Sequence, residues 1–315
     1  MKLLGACLLI VLVTAGAHGQ SPSPERILVK ALKQVAFVFT FLCAGTAGLL
    51  AQAPASLSSR DVVVRGHHLA FHVMPGRAPV LVLDAGGGAD STYWNSIIPE
   101  LAKRTGSEII TYDRAGLGTS DEVPPPFRME DAVTDLESGL TQLGATRDLV
   151  LIPHSFAGSI ATYLAIRHPD WIAGAVLVDT NVPDFFTDEE VAHMAPIIQP
   201  LVAAELAAHP DKKTRTLEAI TEAYVETSHD FHEVIWPASV PCEVIVSEKT
   251  PFPPDMKLDS KNWKDAHTVF ANKACHGKLT VAEGSSHDIA HDRPEVIIQA
   301  AGNLVDQLRS RAERK

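Results

Sequence analysis

The sequence predicts an α/β protein: a mostly parallel, doubly wound central sheet with helices on both faces, carrying a small helical cap as an insertion. Three observations lead there. Short apolar runs rich in Val, Ile and Leu alternate with segments of helical periodicity along most of the chain. A stretch from Asn181 to about Val240 holds no convincing strand and is too long for a bare loop. With 315 residues, 46% hydrophobic and 21% charged, the chain can bury a sizeable core and lacks the composition of a disordered one.

The amino end is set apart. Leu3 to Ala17 is an apolar run behind Lys2, with the small residues Ala15-Gly16-Ala17 at its end. A second run, Val35 to Ala51, follows Arg26, Lys30 and Lys33 and finishes in Ala51-Gln52-Ala53-Pro54. Basic flank, apolar stretch and small-residue end are the pattern of a secretory signal peptide. The expectation is a leader over residues 1–53 and a secreted or periplasmic destination; a retained N-terminal membrane anchor is the alternative. The leader's Lys2, Arg26, Lys30 and Lys33 against Glu25 leave residues 54–315 more acidic than the chain's net −11. Nucleic acids and anionic membrane surfaces are thereby disfavoured as partners, and no obligatory protein partner is evident.

Within residues 54–315 the elements follow in order. Asp61–Arg65 and His68–Met74 alternate apolar and polar residues around Gly66, the pattern of an antiparallel hairpin. Pro79–Leu83, Glu108–Tyr112, Asp148–Ile152, Ala173–Val178, Glu243–Ser247 and Lys278–Ala282 read as strands buried on both faces. Helical patterns lie between and after them at Tyr93–Lys103, Met129–Leu143, Ala157–Arg167, roughly Asp259–Ala271, and Glu295–Arg311. In the insertion, Thr187 and Glu190 have capping-box spacing ahead of a helical run.

Beyond Cys7 and Cys43 in the leader, only Cys242 and Cys275 remain, each just ahead of a predicted strand. If those strands are parallel neighbours, both thiols stand at one end of the sheet. An oxidising compartment then favours a bridge contributing about 3–4 kcal/mol in the chain-entropy model; two buried free thiols are the alternative.

The chemistry gathers at strand ends. Leu149 to Ile152 runs into Pro153-His154-Ser155-Phe156-Ala157-Gly158, where a serine sits between a strand and a helix with small residues behind it. This segment resembles the nucleophile elbow of α/β-hydrolase fold serine hydrolases, which makes Ser155 the nucleophile. It departs from G-x-S-x-G in that Pro153 and Ala157 replace the two glycines and Gly158 comes one step late. Leu81-Val82-Leu83-Asp84-Ala85-Gly86-Gly87-Gly88 is similar to the same family's oxyanion loop, with Asp84-Ala85 where many members have His-Gly. By that resemblance the backbone N–H groups of Gly87 and Phe156 hold the developing oxyanion. Tyr112 to Asp121 looks like the family's D-x-x-G-x-G-x-S stretch and is assigned no catalytic role. Val281 to His287 is similar to the terminal histidine loop, which makes His287 the general base.

The acid is less direct. Many members carry an aspartate just after the penultimate strand, but here the chain reads Ser247-Glu248-Lys249-Thr250. The family's second solution puts the carboxylate at the end of the preceding strand, here Asp179; Glu248 and Asp255 are the fallbacks. A purely structural Asp179, hydrogen-bonded to the following turn, is the plain alternative. His67-His68 and the pair His229 and His232 read as surface or packing residues rather than metal ligands. Phe185, Phe186, Trp236 and Phe252 are candidates to line a pocket under the cap, or simply to pack it.

The resemblance covers about residues 61–311 and implies cleavage of a small-molecule carboxylic ester with no cofactor and no metal. A cofactor-free lyase or perhydrolase on the same three residues, or a non-catalytic ligand-binding homologue, are the competing readings. Ser155 itself excludes an aspartate nucleophile.

Overall fold

The computed structural model describes residues 56–314. The expected leader, with its cleavage sites and Cys7 and Cys43, lies outside the described residues. Eight strands form one sheet in the order β1-β2-β4-β3-β5-β6-β7-β8. They are β1 (Ser58–Val64), β2 (His67–Met74), β3 (Arg77–Asp84), β4 (Ser107–Tyr112), β5 (Leu149–Pro153), β6 (Ile172–Val178), β7 (Cys242–Ser247) and β8 (Leu279–Ala282). β1 and β2 form the expected hairpin, β2 pairs antiparallel with β4, and every other pairing is parallel.

The uninterrupted apolar runs have a simple cause. Along β5, Leu149 and Leu151 point into one hydrophobic cluster, while Val150 and Ile152 point into the other, as strand alternation requires when both faces are covered. Helices α1 (Ile98–Thr105) and α9 (Pro294–Ala312) cover the second face. Helices α2 (Met129–Gln142), α3 (Ala157–Arg167) and α7 (Lys257–Ala274) cover the first.

One helix differs from expectation. The pattern over Tyr93–Lys103 resolves into a 3-10 turn, Ser91–Trp94, capped by Asp90, and a separate α1 that begins at Ile98. Pro99 decides this: without an N–H it belongs in the first turn of a helix, not in its middle.

Between β6 and β7 lie a 3-10 turn (Pro183–Phe185), α4 (Asp188–Ala208), α5 (Lys212–Glu222) and α6 (Tyr224–His232). Thr187 does cap α4, accepting from the Glu190 N–H, but the reciprocal capping box forms at α5, between Asp211 and Thr214. Cys242 opens β7 and Cys275 closes α7 just before β8; the two are joined in a disulfide with their Cα atoms 4.8 Å apart. A short α8 (Ile289–Asp292) precedes α9.

The parallel arrangement has one consequence for chemistry. Asp84, Ser155, Asp179, Ser247 and His287 all stand at or beyond the carboxyl ends of β3, β5, β6, β7 and β8, which are sheet neighbours. Groups far apart in sequence are therefore carried to one edge of the sheet.

Candidate active site

β5 ends at Pro153, where the missing N–H is harmless because the ladder continues through His154, whose N–H donates to Asp84 O at 2.9 Å. Ser155 follows with φ +54, in the left-handed region that non-glycine residues rarely occupy. Its carbonyl accepts from the N–H groups of Gly158 (2.9 Å) and Asn181 (2.8 Å), which holds the turn in place. The late glycine also has its reason. A Cβ on Gly158 would lie 2.5 Å from Thr180 Cβ and 2.7 Å from Asn181 O. The closest approach of α3 to the segment after β6 thus falls at 158, and Ala157 suffices at the usual position.

Ser155 Oγ lies 2.9 Å from His287 Nε2, and His287 Nδ1 lies 2.7 Å from Asp179 Oδ2. An ionised carboxylate can only accept, so Nδ1 carries the proton and Nε2 is free to accept from the serine hydroxyl. All three side chains are buried, Ser155 fully so at 0% exposure. Asp179 is held by more than the histidine. Trp263 Nε1–H donates to Oδ1 at 2.9 Å, Ser247 N–H to Oδ1 at 3.2 Å, and Ser247 Oγ–H to Oδ2 at 2.5 Å. Burial alone would raise this carboxyl; the hydrogen bond and charge of His287, with His267 and Ser247, outweigh it and hold Asp179 well below the usual carboxylate range. Of the fallback acids, Glu248 is exposed and accepts from Gly284 N–H, and Asp255 is exposed. Neither meets His287.

His154 is the residue sequence reasoning passed over inside its own motif. Its Nε2–H donates to the His287 carbonyl at 3.0 Å, and its ring stacks on Tyr93 at 4.8 Å. Burial, with the neighbouring His287, pushes its imidazole down to about 3, so it stays neutral.

The glycine loop after β3 lies against the elbow. A Cβ on Gly86 would come 3.0 Å from His154 Nδ1 and 3.3 Å from Ser155 Cβ, so only glycine fits without displacement. Among the described residues, neither the Gly87 N–H nor the Phe156 N–H has a protein acceptor, and both residues border one chamber. Tyr112 OH donates to Asp84 at 2.9 Å, and the buried Arg114 forms an ion pair with the same carboxylate. Asp113 accepts from the N–H groups of Ser91 and Thr119 and braces the loops, in keeping with the structural role expected of that stretch.

The chamber is bounded below by Gly87, Phe156 and Trp263 and above by Met194, Leu217 and Phe231 of the inserted helices. Phe185 and Phe186 border it as well; Trp236 and Phe252 do not. Trp236 instead packs on Phe270 and donates to Val240 O, while Phe252 packs against Phe185 and Trp263 from outside. His67 is bound to Asp135, His232 Nδ1–H donates to Pro183 O, and His68 and His229 are exposed, the packing and surface roles expected.

Trp263, Ser247 and Arg114 were not identified from sequence. Trp263 carried a faint signal, an aromatic in a helix otherwise rich in polar residues; Ser247 carried none beyond its place at a strand end.

Residues 79–272 match the family profile of the alpha/beta hydrolase fold. The chain is 24% identical over 239 residues to the uncharacterized protein YqjL of Bacillus subtilis, which covers 72% of this chain and 85% of that one. Several other curated relatives are matched over less than half their own length. Among solved structures, an esterase from Thermogutta terrifontis superposes with a TM-score of 0.58 at 20% identity, covering 81% of this chain and 99% of the other. A haloalkane dehalogenase loop variant from Bradyrhizobium elkanii gives 0.58 at 17%, covering 82% and 99%. Similarity at that level speaks to the fold alone. The profile match covers more than half of the chain, and the protein belongs to the α/β-hydrolase fold family.

Proposed function

We propose that the protein is a serine hydrolase that cleaves carboxylic esters through an acyl-enzyme on Ser155. The observation that carries this reading is the unbroken chain Ser155 Oγ–His287 Nε2 (2.9 Å) and His287 Nδ1–Asp179 Oδ2 (2.7 Å), buried at the edge of an apolar chamber.

His287 takes the hydroxyl proton as Oγ attacks the ester carbonyl. The tetrahedral oxygen collects its negative charge between the free N–H groups of Gly87 and Phe156. His287 then returns the proton to the departing alkoxide, and water repeats the sequence in reverse to release the acid. Asp179 orients the imidazole and stabilises its cation without taking the proton. The phenylalanines, Met194 and Leu217 suit the chamber to an apolar group of the substrate. The Asp179–His287 contact at the end of β6 supports this reading over a non-catalytic homologue, which leaned on the missing carboxylate after β7.

Incubation with a fluorophosphonate probe tests the reading. Wild type should be labelled on Ser155, and Ser155→Ala should lose both labelling and about 10⁴-fold or more of p-nitrophenyl ester turnover. Absence of labelling on wild type refutes a serine nucleophile. The Cys242–Cys275 bridge supports the further proposal that this domain works in an oxidising compartment; non-reduced mass spectrometry of the protein from its native source should find that bridge, and two free thiols there would reject it.

A further inference from the structure

We infer that Arg114 is a positioning residue that aims the oxyanion donors at the carbonyl Ser155 attacks; this rests on the serine-hydrolase reading above. Arg114 is 8% exposed and holds the carbonyls of the glycine loop, whose Gly86 lies against His154 and Ser155. Nη1 donates to Ala85 O and to Asp84 Oδ1, and Nη2 donates to Gly86 O and, at 3.2 Å, to Gly87 O, with Ala89 O at 3.5 Å. One side chain thus gathers the carbonyls of three successive residues.

The peptide unit turns that grip into a direction. A trans peptide is planar, and its C=O and N–H point opposite ways. The carbonyl of Gly86 and the N–H of Gly87 belong to one such unit. Drawing Gly86 O toward Arg114 therefore drives the Gly87 N–H away from it, into the chamber. A glycine run has no side chains to select among its backbone orientations, so the selection falls to whatever binds its carbonyls. The cation also polarises the same unit, which makes the opposed N–H a stronger donor. The second donor is touched too: the Arg114 guanidinium carbon lies 5.7 Å from the centroid of the Phe156 ring. Asp84 balances the charge and is itself fixed by Tyr112. Only a planar fork reaches several carbonyls and a carboxylate at once, so lysine is a poor substitute.

A purely structural ion pair predicts a different outcome, and Arg114→Met with Arg114→Lys separates the two. Positioning predicts that kcat for a p-nitrophenyl ester falls about 100-fold in Arg114→Met, the usual effect of losing an oxyanion donor, with little change in KM. A boronic acid, which places a tetrahedral oxygen in the site, should weaken in proportion to kcat/KM, while a competing product alcohol keeps its affinity. Lysine should recover thermal stability but not rate. Loss of melting temperature alone, with kcat and boronate affinity intact in either folded variant, overturns the inference. The Gly87 amide resonance supplies a readout that does not depend on turnover: it should shift in Arg114→Lys. Should wild type resist the fluorophosphonate, the nucleophile reading fails, and an unmoved Gly87 amide then rejects the positioning role as well. Should wild type label and both variants label at its rate, only the role of Arg114 fails.

Discussion

At the scale of single residues, the Asp179 carboxylate shows how a strand other than the penultimate one can seat the proposed acid. It comes from β6 rather than from the turn after β7, yet it receives His287, Trp263 and two donors from Ser247. Asp179→Asn should lower kcat on a p-nitrophenyl ester by about 10⁴-fold, because an amide permits the wrong histidine tautomer. Glu248→Gln should leave turnover near wild type; the reverse ranking would assign the acid to Glu248. His154 makes a second prediction, for stability. Its folded value is about 3, against about 6.5 in an unfolded chain. Between those values the unfolded state binds the proton and the native state does not, so stability rises with pH across that window and is fully present above it. Melting temperatures from pH 4 to 7 should therefore climb less steeply in His154→Gln than in wild type; parallel curves would contradict the assignment. The meeting of Ser155, His287 and Asp179 was legible because each lies within five residues of the carboxyl end of a strand whose type is readable. Trp263 and Arg114 were not, since their partners arrive from other elements and no local spacing records that.

At the scale of elements, the elbow is a packing problem between α3 and the segment following β6. Gly158→Ala inserts a Cβ 2.5 Å from Thr180 Cβ, between two backbones that cannot easily yield. The expected cost is about 1–3 kcal/mol, read as a lower midpoint in urea, with activity lost in step as Asn181 is pushed off the Ser155 carbonyl. An unchanged midpoint would mean that α3 moves freely. Past β1, which starts three residues before the expected Asp61, the strand assignments agreed with the structure to within two residues because apolar runs buried on both faces are unambiguous when helices separate them. The Tyr93–Lys103 helix was misjudged for a definite reason: its apolar spacing continues through Pro99, and only the missing N–H breaks it. The capping box was found at the wrong helix for a similar reason, since Thr187 has the spacing and Asp211 has the geometry.

At the scale of the molecule, sequence order made the insertion visible but not its shape. Three helices and a 3-10 turn had to be seen in place before Phe185 and Phe186 could be told from Trp236, near the end of the insertion, and Phe252, after β7, which pack in the core. The burial of the nucleophile has a kinetic meaning. Ser155 has no exposed surface, so no ester reaches it by diffusion alone. The expected route is past the helices that border the chamber, whose parting would displace solvent. For a reactive ester, friction should then govern the commitment step: kcat/KM falls in proportion to relative viscosity as sucrose is added, while a sluggish ester shows no such dependence. A flat response from both esters would mean that chemistry, not access past the helices, sets the rate. If the reactive ester alone slows, the serine is the fast part of the machine and the clock belongs to α4, α5 and α6.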